Sequence, residues 1–269
     1  MAVLDVAWKE INSEFGEHEI VHHNKCNEEE DSASPCCHNL TFEYEEIDQT
    51  IVLRGKSLIS QSTGLALWTC SQILCGYLLD NPHHVKDKCV LELGAGLGLC
   101  GIVAHHLGAS RVLTTDGDVN VLENLRYNIK LNSSQSGSSD ENNTNVVAQS
   151  VISCPQLVWG KELHEFEQVH GQQHVIVGAD IFYAPENVDS IWQTVDKLLK
   201  PDGSFLLAFC PHKVSIGNVL DRARQFGFSW VKPNIMETSG ENEEEDDNEY
   251  LVTCSFGYHV YIFQRCIAR

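Results

Sequence analysis

The stretch CVLELGAGLGLCG, residues 89–101, decides the fold. Cys89, Val90, Leu91 and Leu93 read as a short strand buried on both faces, the habit of a central parallel strand. Gly94, Gly96, Gly98 and Gly101 then turn the backbone into an apolar helical run. Glycine serves where a chain must take positive φ or approach a ligand without a Cβ, and the helix that follows offers unpaired N–H groups in its first turn. Strand, glycine turn and helix together make a cradle for a nucleoside cofactor.

The bare pattern fits two cofactor classes. Gly96 to Gly101 satisfies GxGxxG, and Asp116 lies about 20 residues on, where dinucleotide enzymes keep a ribose-binding acid. A P-loop is excluded, because no Lys-Ser or Lys-Thr pair closes the glycine run. Glu92 separates the remaining two. A carboxylate at the strand tip repels a pyrophosphate but attracts the positive charge of an amino-acid-bearing cofactor, which favours S-adenosylmethionine.

Working outward, 269 residues of ordinary apolar content suffice for the core of a single α/β domain, residues 41–269, behind a polar extension over residues 1–40. No basic start followed by an apolar segment opens the chain, and no apolar run reaches the length of a membrane span, so a soluble, intracellular protein of the cytoplasm or also the nucleus is expected; a monomer is expected as well. The eleven cysteines are scattered through apolar segments, as thiols of a reducing compartment are. His22, His23, Cys26, Cys36, Cys37 and His38 lack the spacing of a zinc site, and no metal is expected. A net charge of −20 argues against nucleic acid and suits a partner with a basic surface.

Thr41 to Arg54 reads as a hairpin turning at Glu46-Ile47-Asp48, and the run from Leu65 to Leu78 as a helix stopped by Asn81-Pro82. By periodicity alone Trp68 belongs to the core. Behind the glycine turn, a helix from Leu99 to Leu107 and a strand from Arg111 to Thr115 complete a βαβ unit ending at Asp116. That carboxylate is placed for ribose hydroxyls, although either it or Asp118 suits the N-cap of the helix from Val119 to Leu131. The polar segment from Asn132 to Asn145 reads as a surface loop. Further strands are expected over Val146 to Val151, Val175 to Ala179, Ser204 to Phe209, Trp230 to Ile235 and, antiparallel, Tyr258 to Gln264. Helices are expected over Val188 to Leu199 and Val214 to Phe226, and the seven acids between Glu241 and Glu249 as a solvated loop. The fourth strand of the sheet delivers Asp180 and Tyr183 to its C-terminal tip, the edge where open α/β sheets bind ligands.

These features resemble the seven-β-strand S-adenosylmethionine methyltransferases, specifically the protein lysine methyltransferases that act on valosin-containing protein, calmodulin, Hsp70 chaperones and elongation factors. The resemblance rests on Gly64 to Trp68, Glu92 to Gly98, Thr115-Asp116 with Leu122, Leu125 and Asn128, the tryptophan-glycine element Leu157 to Gly160, and Asp180-Ile181-Phe182-Tyr183. It implies a doubly wound, Rossmann-like, seven-stranded sheet, mostly parallel with an antiparallel last strand, preceded by a hairpin and a helix. It further implies that Trp68, Gly94, Ala95, Gly96, Asp116, Trp159 and Ala179 contact S-adenosylmethionine, joining Glu92. Asp180 and Tyr183 then line the channel for a lysine of a protein substrate. Two competing readings stand beside it: methylation of a small amine or of protein arginine or histidine, and a methyltransferase-like module that binds without chemistry.

Overall fold

The computed structural model describes residues 37–56, 63–133, 151–211, 213–233 and 257–266. Strands β1 (Cys37–Tyr44) and β2 (Gln49–Lys56) form an antiparallel hairpin. They are followed by β3 (Cys89–Leu93), β4 (Arg111–Thr115), β5 (Val151–Ser153), β6 (Gln173–Ala179), β7 (Leu199–Phe209), β8 (Phe228–Val231) and β9 (His259–Arg265). These seven make one sheet in the order β5-β4-β3-β6-β7-β9-β8. β3 to β7 pair in parallel, and β9 runs antiparallel to both of its neighbours. Helices α1 (Thr69–Asp80), α2 (Leu99–His106), α3 (Val119–Ser133), α4 (Leu163–His170), α5 (Val188–Leu198) and α6 (Ile216–Gln225) cover it. None of the described helices is long and apolar enough to cross a membrane.

Alternation along the strands divides the core in two. Val90, Val112, Val175, Val177, Leu206 and Ala208 face α1, α2, α3 and the hairpin, whereas Leu91, Leu113, Ile176, Phe205, Leu207 and Phe263 face Ile191, Trp192, Val195, Val219 and Ala223 of α5 and α6. Both faces are apolar, which is why the strands read as continuous hydrophobic runs. From β3 the chain crosses through α2 to β4 on one side, and later returns to β6 on the other. The crevice outside the carboxyl ends of β3 and β6 is therefore the topological switch point.

The hairpin is attached by side chains rather than by the sheet. On α3, Asn124, Asn128 and Asn132 recur every four residues and so share one helix face. Asn132 accepts from the Val52 N–H (2.9 Å) and donates to the Val52 carbonyl (2.8 Å). Asn128 accepts from the Arg54 N–H (2.8 Å) and donates to the carbonyls of Arg54 (3.2 Å) and Leu97 (3.0 Å). A carboxamide carries both an acceptor and donors, so this row takes the place of a strand along the edge of β2. The Leu97 bond extends the same row to the glycine turn.

Several boundaries differ from expectation. β1 reaches back to Cys37, so the expected boundary at residue 40 falls inside it. α1 starts at Thr69, because Thr63–Leu65 form a single 3-10 turn and Trp68 is extended (φ −111°). Asn132 and Ser133 belong to α3, and Asn132 is buried, held by the bonds to β2. The short strand beside β4 covers Val151–Ser153; the first five residues of the expected strand Val146 to Val151 lie outside the described ones, as does most of the polar loop. β7 begins at Leu199 and passes through Pro201, α6 covers Ile216–Gln225, and β8 is Phe228–Val231 rather than Trp230 to Ile235. The acidic run and Cys26 and Cys36 lie outside the described residues.

Candidate active site

Gly94 and Gly96 hold the cradle open. Both have left-handed backbone, with φ of 60° and 53°. A Cβ on Gly94 would lie 2.9 Å from the Trp159 ring and 3.0 Å from Ile181, and one on Gly96 would lie 3.2 Å from the Gly64 carbonyl oxygen. The turn is thus roofed by the segment before α1, flanked by Trp159, and accessible to a ligand only because these two positions lack side chains.

Asp116 sits at the end of β4 and spans the turn. One carboxylate oxygen accepts the Gly96 N–H (3.2 Å) and the other the Asp118 N–H (3.0 Å). Each oxygen keeps a lone pair for a further donor, so two adjacent hydroxyls of a ribose match it. The N-cap role falls to Asp118, whose carboxylate accepts the Asn120 N–H (2.9 Å). Burial holds the Asp116 carboxyl above its ordinary range, against the pull of the Asp118, Gly96 and Gly117 amides.

Glu92 is buried beneath the turn, not held out at the strand tip as a free charge. Its carboxyl accepts the Gly101 N–H (3.1 Å), tying the first turn of α2 to β3. Burial pushes it up to about 8, outweighing the Gly101 and Cys100 hydrogen bonds that favour the ionised form. Below the ordinary carboxylate range folded and unfolded chains both carry the proton. Between that range and about 8 only the folded chain does, so stability falls as pH rises and levels off above about 8. Glu92→Gln, which keeps the shape without the charge, is expected to remove that slope. Its melting temperature at pH 8 should exceed the parent's by about 5 °C, with little difference at pH 4. Parallel melting curves across that span would refute the assignment.

At the tip of β6, Asp180 takes φ of 57°, a conformation that aspartate tolerates better than most residues, and its N–H bonds to the Ala208 carbonyl (3.0 Å). Left-handed backbone here turns the chain off the sheet. Ile181 and Phe182 then plug into the core, 2% and 1% exposed, with Phe182 against Trp192. Asp180 and Tyr183 line the cavity. Tyr183 meets Trp159 edge to face at 6.3 Å, and burial with the charges of Asp116 and Glu186 raises its phenol, which stays neutral at physiological pH.

These residues enclose a cavity of about 680 Å³ at the switch point. Trp68, Glu92, Gly94, Ala95, Gly96, Asp116, Trp159, Ala179, Asp180 and Tyr183 all line it. Trp68 is 38% exposed, so the core role that periodicity suggests for it is overturned. Its indole N–H donates to the Thr63 carbonyl (3.0 Å) and fixes the roof. Thr63, Ser71, Asn187 and Lys213, which the sequence does not single out, also line the cavity, as does Asp118, which the sequence marks only as an N-cap. Lys213 follows the carboxyl end of β7, and that position at the ligand-binding edge was its one sequence signal. The cradle, its acid at the second strand tip and its aromatic walls fit S-adenosylmethionine, a ligand with two ribose hydroxyls and no phosphate.

Sheet order and cavity define the class of Rossmann-like methyltransferases. Within that class the chain belongs to the lysine methyltransferase family, whose model matches residues 48–218. It is 35% identical over 144 residues to the protein N-lysine methyltransferase METTL21A of Xenopus tropicalis, covering 53% of this chain and 58% of that protein. It is also 35% identical over 166 residues to the protein-lysine N-methyltransferase EFM3 of Chaetomium thermophilum, covering 58% of this chain and 46% of that one. The chain thus spans about half the length of these curated relatives. Among solved structures, the T. thermophilus 16S rRNA methyltransferase RsmC in complex with AdoMet and guanosine shares the fold, with a TM-score of 0.55 at 14% identity, over 98% of this chain and 62% of that one.

Proposed function

We propose that this chain is an S-adenosylmethionine-dependent methyltransferase that modifies a lysine side chain of a non-histone protein. One observation carries the reading: ten residues scattered from Trp68 to Tyr183 converge on a single switch-point cavity. METTL21A and EFM3 are named as protein-lysine methyltransferases, and family membership extends that chemistry to this chain. Bound in the cradle, S-adenosylmethionine supplies a methyl group carried on a sulfonium sulfur.

The protein's share is to hold an amine in line and uncharged. Asp116 accepts the ribose hydroxyls, Gly94 to Gly96 admit the nucleoside close to the backbone, and Trp68 and Trp159 supply flat apolar walls. Asp180 draws in the substrate ammonium with its carboxylate. Tyr183, a neutral phenol, fixes a second hydrogen-bond direction, and the ammonium proton leaves through the open mouth to water. The proposal includes a monomer of the cytoplasm or nucleus, and the net charge of −20 favours a protein substrate with a basic surface over nucleic acid.

The test incubates the purified protein and a cell lysate with radiolabelled S-adenosylmethionine, then maps the label by mass spectrometry. Label on one lysine of one protein, insensitive to ribonuclease, is the expected result. Label on arginine, histidine, a small amine or RNA would overturn the assignment, as would heat of cofactor binding without any transfer.

A further inference from the structure

Asn128 of α3 is fully buried and bonds to two separate segments at once. Its carboxamide oxygen accepts the Arg54 N–H of β2 (2.8 Å), while its nitrogen donates to the Arg54 carbonyl (3.2 Å) and to the Leu97 carbonyl of the glycine turn (3.0 Å). The peptide joining Leu97 to Gly98 is therefore held at both ends, because the Gly98 N–H bonds to the Ala95 carbonyl (2.8 Å). Gly55, next along β2, meets the same turn from the hairpin side. A Cβ there would lie 3.2 Å from the Leu97 side chain and 3.5 Å from the Leu65 carbonyl oxygen. Leu97 lines the cavity, as do Gly96 and Leu99 on either side of it.

We propose that Asn128 is a positioning residue for the cofactor: it fixes the Leu97–Gly98 peptide, so that the glycine turn is shaped before a ligand arrives, and the hairpin is the support it works against. The inference rests on the methyltransferase reading for the identity of the ligand, not for the contacts. Gly98, with φ of 89°, is the N-cap of α2. Glycine takes either sign of φ at little cost, so the turn's own sequence does not choose between two orientations of the preceding peptide. Asn128 chooses. A buried carbonyl is costly to leave without a donor, and only one orientation brings the Leu97 oxygen to the carboxamide. A lysine or arginine could donate there too, but could not accept the Arg54 N–H, so the turn and β2 would no longer share one anchor. Asn132, one helical turn on, bonds the Val52 groups and the Asn128 carbonyl, none of them in the glycine turn.

Asn128→Leu and Asn132→Leu form a matched pair for the test. Each removes a buried carboxamide and its bonds to β2, and only the first frees the Leu97 carbonyl, so both should lower the melting temperature. In the protein without cofactor, hydrogen exchange of the Gly98 N–H, read by NMR, should quicken about 10-fold in Asn128→Leu and keep the parental rate in Asn132→Leu. Calorimetry should show affinity for S-adenosylmethionine about 10-fold weaker in Asn128→Leu alone, with KM for the cofactor raised to match and kcat within about 3-fold of the parent. Gly55→Val leaves the Asn128 bonds in place and pushes on Leu97 from β2; it should also quicken Gly98 exchange, and it carries the test if Asn128→Leu does not fold. Equal exchange or equal affinity across the matched pair would overturn the positioning role. Parental exchange in Gly55→Val would remove the support from the hairpin, on which that role depends. Absence of cofactor heat in the parent itself would overturn the methyltransferase reading and with it the purpose assigned to Asn128, while the exchange rates still judge the contact.

Discussion

Gly96→Arg is expected to lose S-adenosylmethionine binding by more than about 100-fold, about 2.7 kcal/mol, read by calorimetry or by the shift in melting temperature at saturating cofactor. Two physical effects add. Left-handed backbone at φ of 53° disfavours any side chain by about 1–2 kcal/mol. The new Cβ also starts 3.2 Å from the Gly64 carbonyl oxygen, so the guanidinium can extend only into the space the nucleoside needs. Asp116 then completes the blockade, because its carboxylate, already bonded to the Gly96 N–H, pairs with the new cation instead of ribose hydroxyls. Gly227→Ala is the control for backbone strain alone. Its φ of 80° is likewise left-handed, but nothing lies within 4 Å of the added Cβ and it is remote from the cavity, so cofactor affinity should stay unchanged. Parental affinity in Gly96→Arg would mean that the nucleoside does not lie over this turn.

The parts of this molecule visible in its sequence are those set by local pattern. β3, β4 and β6 are apolar without interruption because helices cover both faces of the sheet, and the glycines mark the turn because only they fit it. What stayed hidden was decided by tertiary contacts. Trp68 sits in helical phase with Ile73 and Leu74, yet its indole N–H bonds to Thr63 and holds the preceding residues out of the helix. Asn132 reads as the start of a polar loop, but its carboxamide is consumed by the edge of β2. Pro201 and Gly203 look like a stop, and the strand runs through them because the register beside Gln173 and Val175 is irregular there and leaves Pro201 exposed.

The same distinction holds at the site. Asp116, Asp180 and the glycines were legible because strand tips at a switch point are where ligands bind, whatever the ligand. Glu92 was legible as a site residue but not in its state: a carboxyl two residues before a glycine turn looks like a charge for the cofactor, and only burial shows it to be a support for the helix behind.

Asp180→Asn is the change expected to separate binding from chemistry. Asparagine accepts left-handed backbone as readily as aspartate and keeps the same shape, so the turn at the tip of β6, with Ile181 and Phe182 anchored behind it, should survive with a melting temperature close to the parent's. Cofactor affinity should also hold, because the ribose and the glycine turn engage other residues. Transfer to lysine should fall about 100-fold to 1,000-fold, since the ammonium loses the carboxylate that lines the cavity beside Tyr183. The loss should appear in both KM for the protein substrate and kcat, as capture and alignment are performed by the same carboxylate. Asp180→Ala should lose at least as much transfer and some stability besides, about 1 kcal/mol for alanine in a left-handed position. If Asp180→Asn transfers methyl groups at the parental rate while Tyr183→Phe does not, the phenol rather than the carboxylate receives the amine, and the roles at this tip are reversed.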